Sequence, residues 1–143
     1  MADRWLVKTD PSRLTFDDLV EAGRVTWRGV KQRPSLANLR RMRRGDEVLV
    51  YHAGSRRAVV GVARVRKGAY PDPEAEGPGE VAVDLVPVEP LARPVLLTEL
   101  RGVKALSGWV LLRFPRLHVM PVPALAWRRV LSLSRRRTGP RRG

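Results

Sequence analysis

The stretch Glu47-Val48-Leu49-Val50-Tyr51-His52 decides the fold class, because its side chains alternate in the two-residue period of a β-strand. A loop over residues 53–57 contains Gly54 and separates this strand from a second apolar run, Ala58 to Lys67. Two such runs joined by a glycine-containing loop predict a β-hairpin. Gly61 lies inside the second strand, where a glycine indicates a bulge or a close backbone approach.

Further short strands are expected on either side of this hairpin. The segment 4–8 predicts a first strand, which ends at the turn residues Thr9-Asp10-Pro11-Ser12. Residues 68–80 are rich in Gly, Pro and acidic residues, which is typical of a long exposed loop. Other extended segments are predicted at 25–27, 81–88, 109–113 and 116–120.

Three short helices complete the pattern. Thr15 can cap a helix over residues 16–22, and Ser35 can cap a second helix over residues 36–43. Pro123 suits the first turn of a final helix over residues 124–133, and residues 97–106 have weaker helical character. Together these elements predict an α+β domain: a small, mostly antiparallel β-barrel flanked by short helices.

The chain is strongly basic. Lys and Arg number 28 against 14 Asp and Glu, which gives a formal net charge of +14. All but four of the basic residues are Arg, whose guanidinium pairs bidentately with phosphate and stacks on bases. Nucleic acid is therefore the first partner to consider, although Arg enrichment can also reflect GC-rich coding or a thermophilic host.

The basic residues are dense at the end of the chain. Residues 1–134 are expected to form the folded domain, whereas residues 135–143 hold five Arg, no acid and no apolar residue. We expect this Arg-rich tail to be disordered and to add phosphate affinity without sequence discrimination.

Composition disfavours several other classes of protein. The absence of Cys excludes a disulfide scaffold, a Cys-ligated zinc site and a thiol nucleophile. His52 and His118 lie far apart in the sequence and predict no metal site, and no P-loop or G-x-S-x-G motif is present. We therefore assign no catalytic residue, metal or cofactor. No apolar run approaches the roughly 18–20 residues of a membrane span and no signal peptide begins the chain, so we expect a cytoplasmic protein without membrane association.

Trp27 has two interpretations. It lies within the sequence Thr26-Trp27-Arg28-Gly29-Val30-Lys31-Gln32, beside basic residues and a glycine. A ring in such a loop can be a stacking platform for a base, and a Trp can equally fill the core. The first interpretation predicts that Trp27→Ala weakens nucleic-acid binding while the fold survives.

An ordered set of motifs resembles the EVE domain family. Trp5-Leu6-Val7-Lys8-Thr9-Asp10-Pro11 is similar to the opening W-L-x-K-[ST]-[ED]-P of that family. The similarity covers about residues 4–132 and continues in register through residues 16–19, 27–30, 38–40, 45–46, 51–52, 61–63, 69–73, 83–85, 87–88, 116–119, 121–122 and Trp127.

The resemblance implies a fold and a function. The family has a PUA-like β-barrel related to YTH domains, and it is viewed as a reader of modified nucleobases, chiefly modified cytosine in DNA. A base flipped from the duplex enters a pocket, where its added methyl or hydroxymethyl group meets a shaped wall. The resemblance thus implies a non-enzymatic nucleic-acid-binding module.

The resemblance also implies site residues. Trp27 would stack on or wall the base, and the backbone groups of Gly29 and Val30 would meet its edge. The implied nucleobase pocket consists of Trp5, Lys8, Thr9, Trp27, Gly29, Val30, Tyr51, His52, Leu117 and His118. The implied phosphate contacts are Arg28, Lys31, Arg33 and Arg116.

The chain departs from the family pattern near this site. Gln32 stands in place of an Asn, Arg33 in place of an aromatic residue, and Pro34 stiffens the segment. Ala53 and His118 occupy positions where Ser is common. These departures predict a different recognised base or weaker binding.

Two alternative functions stay open. A PUA-like module can use the same face to bind structured RNA. A base-processing or nucleotide-hydrolysing enzyme is the third interpretation, which the lack of an evident acid–base pair disfavours. The sequence does not indicate an oligomeric state.

Overall fold

A computed structural model describes residues 3–136 as a six-stranded sheet that curls into a half-barrel. The strand order is β2-β5-β4-β3-β1-β6. Strands β1 and β3 are parallel, and the other neighbouring pairs are antiparallel. The α+β, PUA-like barrel expected from the sequence is therefore confirmed. The strands are β1 (Arg4–Thr9), β2 (Val25–Trp27), β3 (Glu47–His52), β4 (Ala58–Pro71), β5 (Val81–Leu96) and β6 (Val119–Pro121).

Short helices pack on both faces of the sheet. They are α1 (Phe16–Ala22), α2 (Arg33–Arg40), α3 (Leu97–Arg101), α4 (Val110–Arg113) and α5 (Ala124–Ser134), with a 3₁₀ turn over Lys104–Leu106. Across residues 3–136 there is no helix whose length and apolar character would let it cross a membrane. Arg135 and Arg136 follow α5 in a turn, and the rest of the expected tail, residues 137–143, lies outside the described residues.

The first two helices differ in how well their starts follow from sequence. Helix α1 begins and ends as predicted, with the Thr15 hydroxyl accepting the Asp18 N–H at 3.0 Å. Helix α2 begins at Arg33 instead of Leu36, because Pro34 fits the first turn of a helix. Ser35 is consequently not a cap; it lies buried inside α2.

Three other segments correct the sequence-based expectations. Residues 110–113 form α4 and not a strand, since a short apolar run fits either element until its packing is known. Strand β5 continues through Pro87 to Leu96, because the β4–β5 register shifts beside Pro87 and no ladder bond from it is needed. The loop after β4 is shorter than predicted, and two of its acids, Asp72 and Glu80, are buried.

Alternation along the strands gives the sheet an apolar layer on each face. Leu6, Leu49 and Tyr51 belong to a cluster that contains residues of α3, α4 and α5. Trp5 and Val7 belong to a second cluster, which contains residues of α1 and α2. Because side chains alternate along a strand, neighbouring residues of β1 contribute to different clusters.

Gly61 lies at an irregularity of the central hairpin, as predicted. The β3–β4 register shifts between Val50 and Tyr51, and the β4–β5 register shifts between Val59 and Gly61. The close approach at Gly61 is made by a side chain: a Cβ there would lie 2.5 Å from Cε1 of the buried Phe16 ring.

Gly61→Ala is therefore expected to destabilise the protein by about 1–3 kcal/mol, the usual cost of overpacking a core. Urea unfolding monitored by tryptophan fluorescence measures this change. Phe16→Leu should reduce the added cost of Gly61→Ala, because the aromatic ring that meets the new methyl group is gone. Equal costs of Gly61→Ala in both backgrounds would contradict this explanation.

Candidate functional site

A cavity of about 530 Å³ opens at the end of β1, beside the segment that follows β2. We call it the β1 cavity. Its volume lies within the range of about 300–1,000 Å³ that is usual for ligand sites. It is lined by Lys8, Thr9, Asp10, Arg13, Leu14, Val25, Thr26, Trp27, Arg28, Gly29, Val30, Lys31, Gln32 and His118.

Trp27 lines the β1 cavity and also packs in the core. It is the last residue of β2, where it pairs with Val83, and only 9% of it is exposed. Its core cluster includes Trp5 and Phe16. The expectation that Trp27 lies in a loop is therefore wrong, and the expected survival of the fold in Trp27→Ala loses its basis. Both interpretations of this ring describe part of its environment.

Residues 28–31 continue the cavity wall after Trp27, and Asp72, from the loop that follows β4, holds this wall in place. The buried Asp72 carboxylate accepts the Arg28 Nε–H at 3.0 and 3.1 Å and the Glu74 N–H at 2.9 Å. Burial would raise the pKa of Asp72, but the Glu74 N–H and the Arg28 guanidinium outweigh it and lower the pKa below its ordinary value. Gly29, the next residue of the wall, has a φ of 76°, a conformation that favours glycine.

The same loop also supplies a carboxylate that pairs with a second basic residue of the cavity lining. The Lys31 Nζ donates to Glu76 Oε1 at 2.6 Å, and this contact raises the pKa of Lys31. Arg28 and Lys31, two of the expected phosphate contacts, thus lie at the cavity but are paired with carboxylates of the protein itself.

Three polar side chains of the 32–38 segment hold residues 116–119, which lead into β6. Gln32 Nε2 donates to the Arg116 carbonyl at 2.9 Å, and Asn38 Nδ2 donates to the Val119 carbonyl at 2.8 Å. The Ser35 hydroxyl accepts the His118 N–H at 2.9 Å and donates to Gln32 Oε1. Gln32, a departure from the family pattern, therefore helps to position His118.

His118 is exposed at the rim of the β1 cavity. Partial burial and the nearby Lys8 ammonium lower the pKa of its imidazole. A lowered pKa favours the neutral ring at pH 7, which offers one N–H donor and one nitrogen acceptor.

The end of β1 supplies the opposite edge. The Thr9 hydroxyl donates to the Leu14 carbonyl at 3.0 Å, and Lys8 Nζ donates to the Pro115 carbonyl at 2.8 Å. Burial and the Arg57 charge lower the pKa of Lys8. Lys8 and Thr9 are thus anchored by backbone carbonyls at the mouth of the cavity.

Four residues of the implied nucleobase pocket do not line the β1 cavity. Trp5 is 1% exposed and its indole N–H donates to Asp46 at 2.9 Å, while Tyr51 is buried in the cluster on the other face. His52 Nε2 accepts the Phe16 N–H at 3.0 Å, and Leu117 packs against the same cluster as Tyr51. Burial lowers the pKa of His52. Trp5, Tyr51 and Leu117 are thus held in the core clusters, and His52 is bound to the start of α1.

The two remaining expected phosphate contacts lie elsewhere. Arg33 lines a neighbouring cavity with Arg40 and the buried Glu80. Arg116 is exposed, and its backbone carbonyl binds Gln32. Neither side chain lines the β1 cavity.

Sequence reasoning missed Arg13 and Leu14. Asp10 Oδ1 accepts the Ser12 N–H and hydroxyl at 2.9 and 2.8 Å, and the Leu14 N–H bonds to the Asp10 carbonyl at 3.0 Å. This turn folds both residues back to the cavity. The turn chemistry of residues 9–12 was visible in the sequence, and a basic residue directly after it was the available signal.

Solved structures share this architecture over nearly the whole chain. A Rhodopseudomonas palustris protein solved by NMR is 33% identical, covers 93% of each chain and has a TM-score of 0.88. An Agrobacterium tumefaciens protein is 28% identical, with 94% of each chain covered and a TM-score of 0.89. Human THYN1, in complex with DNA containing 5-methylcytosine, shares the fold at 24% identity and a TM-score of 0.86, over 96% of this chain and 100% of the solved THYN1 chain. A comparison with curated proteins found no match.

The family comparison agrees with the fold and with the motifs around the β1 cavity. The model of the EVE domain matches residues 3–133, which include all six strands and all but the last residue of α5. This chain therefore belongs to the EVE domain family.

Proposed function

We propose that this protein binds nucleic acid and reads a modified base, a modified cytosine in DNA, that is flipped into the β1 cavity. The observation that carries the proposal is the combination of an aromatic wall, free polar edges and basic residues in one cavity of this fold. The net charge of +14 favours approach of a polyanion.

The walls of the β1 cavity suit a planar base. Trp27 offers an aromatic surface, and Leu14, Val25 and Val30 add apolar contacts. A methyl group on a base gains from such contacts, because apolar surface leaves water. Enclosure by shaped walls is how a protein identifies a base that differs by one small group.

The rim of the cavity suits the edge of the base. Hydrogen bonds to its Watson–Crick edge can come from the neutral imidazole of His118, from the Gly29 carbonyl and from the backbone of Val30. In residues 3–136, the His118 imidazole makes no hydrogen bond to another residue, so its donor and acceptor stay available to a ligand.

A structural neighbour supports the choice of ligand. THYN1 was solved in complex with DNA that contains 5-methylcytosine, and this chain has the same fold over 96% of its length. We therefore choose 5-methylcytosine as the first base to test.

The test is a competition assay at fixed salt with matched oligonucleotides. It compares DNA duplexes with and without a single 5-methylcytosine, and the corresponding RNAs. We expect the modified duplex to compete best, with a preference over the unmodified duplex that persists when salt is raised. If binding depended only on non-specific phosphate contacts, raising the salt concentration would lower the affinity for both duplexes by the same factor.

Each other outcome identifies a different function. Tighter binding of the RNAs than of either duplex would favour the RNA-binding alternative. Equal affinity for the modified and unmodified duplexes would overturn the proposed base reading. Formation of a product from modified nucleotides would show an enzyme.

A further inference from the structure

A second cavity, of about 430 Å³, contains three arginines and lies outside the site described above. Arg56 and Arg57 come from the β3–β4 hairpin loop, and Arg101 comes from α3. The hydroxyl-bearing residues Ser55 and Thr98 complete its polar lining. We call it the arginine cavity.

Backbone hydrogen bonds hold together the two segments that form the arginine cavity. The Leu97 N–H bonds to the Arg57 carbonyl at 2.9 Å, which holds the start of α3 against the end of the hairpin loop. Residues 58 and 96 also pair across β4 and β5. These backbone bonds hold the two segments that carry the three arginines around one opening.

The three arginines of this cavity have no acidic partner among residues 3–136. No carboxylate in residues 3–136 lies within 4.0 Å of the Arg56, Arg57 or Arg101 guanidinium. Glu99, the acid of α3, is instead bound by Arg93 at 2.6 and 2.8 Å and also accepts the Leu96 N–H. Three unpaired guanidinium groups beside hydroxyl donors form a site for an anion with several oxygens.

The two cavities are neighbours across the end of β1. The Ala53 N–H bonds to the Thr9 carbonyl at 2.8 Å, so the hairpin loop is attached to a residue of the β1 cavity. Lys8, which also lines the β1 cavity, lies with its Nζ 5.5 Å from the centre of the Tyr51 ring. The Arg57 charge acts on both of these residues and the Arg101 charge acts on Tyr51. A basic surface therefore continues from the β1 cavity through Lys8 to the arginine cavity.

On the other side of the β1 cavity, the basic residues of its lining are already paired with acids. There Arg28 and Lys31 are paired with Asp72 and Glu76, which would compete with any phosphate. We infer that the arginine cavity binds the phosphodiester backbone of the strand whose base enters the β1 cavity. The strand thus leaves over Lys8 toward Arg57 and Arg101, and not over Arg28 and Lys31. This inference rests on the proposed function.

The test compares two double variants that remove the same charge. Arg57→Gln with Arg101→Gln neutralises the arginine cavity, and Arg64→Gln with Arg66→Gln removes two exposed arginines of β4 that line neither cavity. For the first variant we expect the affinity for modified and unmodified duplexes to fall alike, by about tenfold or more. Its slope of log affinity against log salt should be shallower by up to about 1.8, since each lost phosphate contact contributes about 0.9. The control should change both quantities much less.

Oligonucleotides with single methylphosphonate linkages locate the contact. Neutralising the phosphates on one side of the modified base should weaken binding by the wild-type protein. The same oligonucleotides should have little further effect on the Arg57→Gln, Arg101→Gln variant, because the contact is already lost.

The results separate this inference from the proposed function. If wild-type protein prefers the modified duplex but both double variants lose equal affinity and salt dependence, the arginine cavity is not the phosphate site. If wild-type protein shows no preference for the modified base, the proposed function fails. If, in that case, the slope of log affinity against log salt becomes shallower only in the Arg57→Gln, Arg101→Gln variant, the arginine cavity binds phosphate but the protein does not read the base.

Discussion

Trp27→Ala is expected to lower the free energy of unfolding by about 3–5 kcal/mol, the usual cost of removing a large buried aromatic side chain. Trp27 is 9% exposed and belongs to the same core cluster as Trp5 and Phe16, so its loss opens a cavity in the core. This cost is a large share of the roughly 5–15 kcal/mol that stabilises most domains. Thermal and urea unfolding measure it directly.

Trp27→Leu separates the two roles of this residue. Leu keeps apolar volume in the core but removes the aromatic face, so we expect a smaller loss of stability than for Ala. Binding of the modified duplex should still weaken about 5- to 150-fold, which corresponds to about 1–3 kcal/mol for a lost base–aromatic stack.

Val83→Ala is the matched control. Val83 pairs with Trp27 and is fully buried in the same cluster, but it does not line the β1 cavity. It should destabilise the fold without changing the affinity of the folded protein. If Trp27→Leu binds as tightly as wild type, Trp27 is only a core residue.

Asp46→Ala is expected to cost about 2–6 kcal/mol of stability. Asp46 is 3% exposed, and its carboxylate accepts the Trp5 indole N–H and the Arg43 N–H, both at 2.9 Å. A third bond comes from the Asp3 N–H at 3.0 Å. Removal of this acceptor leaves at least two shielded N–H donors without a partner, and each costs about 1–3 kcal/mol.

Asp46→Asn gives a graded comparison. Its remaining carbonyl oxygen can still accept the two donors that share Oδ2, whereas its amide group cannot accept the Asp3 N–H. We expect an intermediate loss of stability, measured by urea unfolding. In the Trp5→Phe background the cost of Asp46→Ala should shrink, because one donor is already absent. An unchanged cost would mean that the Trp5 bond contributes nothing.

The loop that follows β4 was interpreted from sequence as exposed, and residues 73–76 are exposed, but its ends bury Asp72 and Glu80. Gly, Pro and acidic residues do predict a loop, but they do not reveal which carboxylates it buries. Asp72 is buried because Arg28, which is 44 positions away in the chain, brings a guanidinium to it. Because of this contact, we expect Arg28 to bind phosphate more weakly than its position beside Trp27 indicates.

Local sequence was sufficient where short-range chemistry decides the structure. The alternation of residues 47–52, the glycine-containing loop after them and the caps of α1 at Thr15 and Gly23 depend on neighbours within a few positions. Together with the ordered motifs they were enough for the PUA-like fold and the EVE family. Of the ten residues implied for the nucleobase pocket, these motifs also located the six that line the β1 cavity, which are Lys8, Thr9, Trp27, Gly29, Val30 and His118.

Only the tertiary structure decided which charges are free and which side chains face the cavity. Trp5 and Tyr51 carry the right chemistry, but β1 and β3 direct them into the two core layers on opposite faces of the sheet. Whether an arginine is paired depends on acids that are distant in sequence, as for Arg28 with Asp72, while Arg57 and Arg101 meet only because α3 is fastened to the hairpin loop. Electrostatic energy depends on the separation of charges in space, and the order of residues along the chain does not give that separation before the chain has folded.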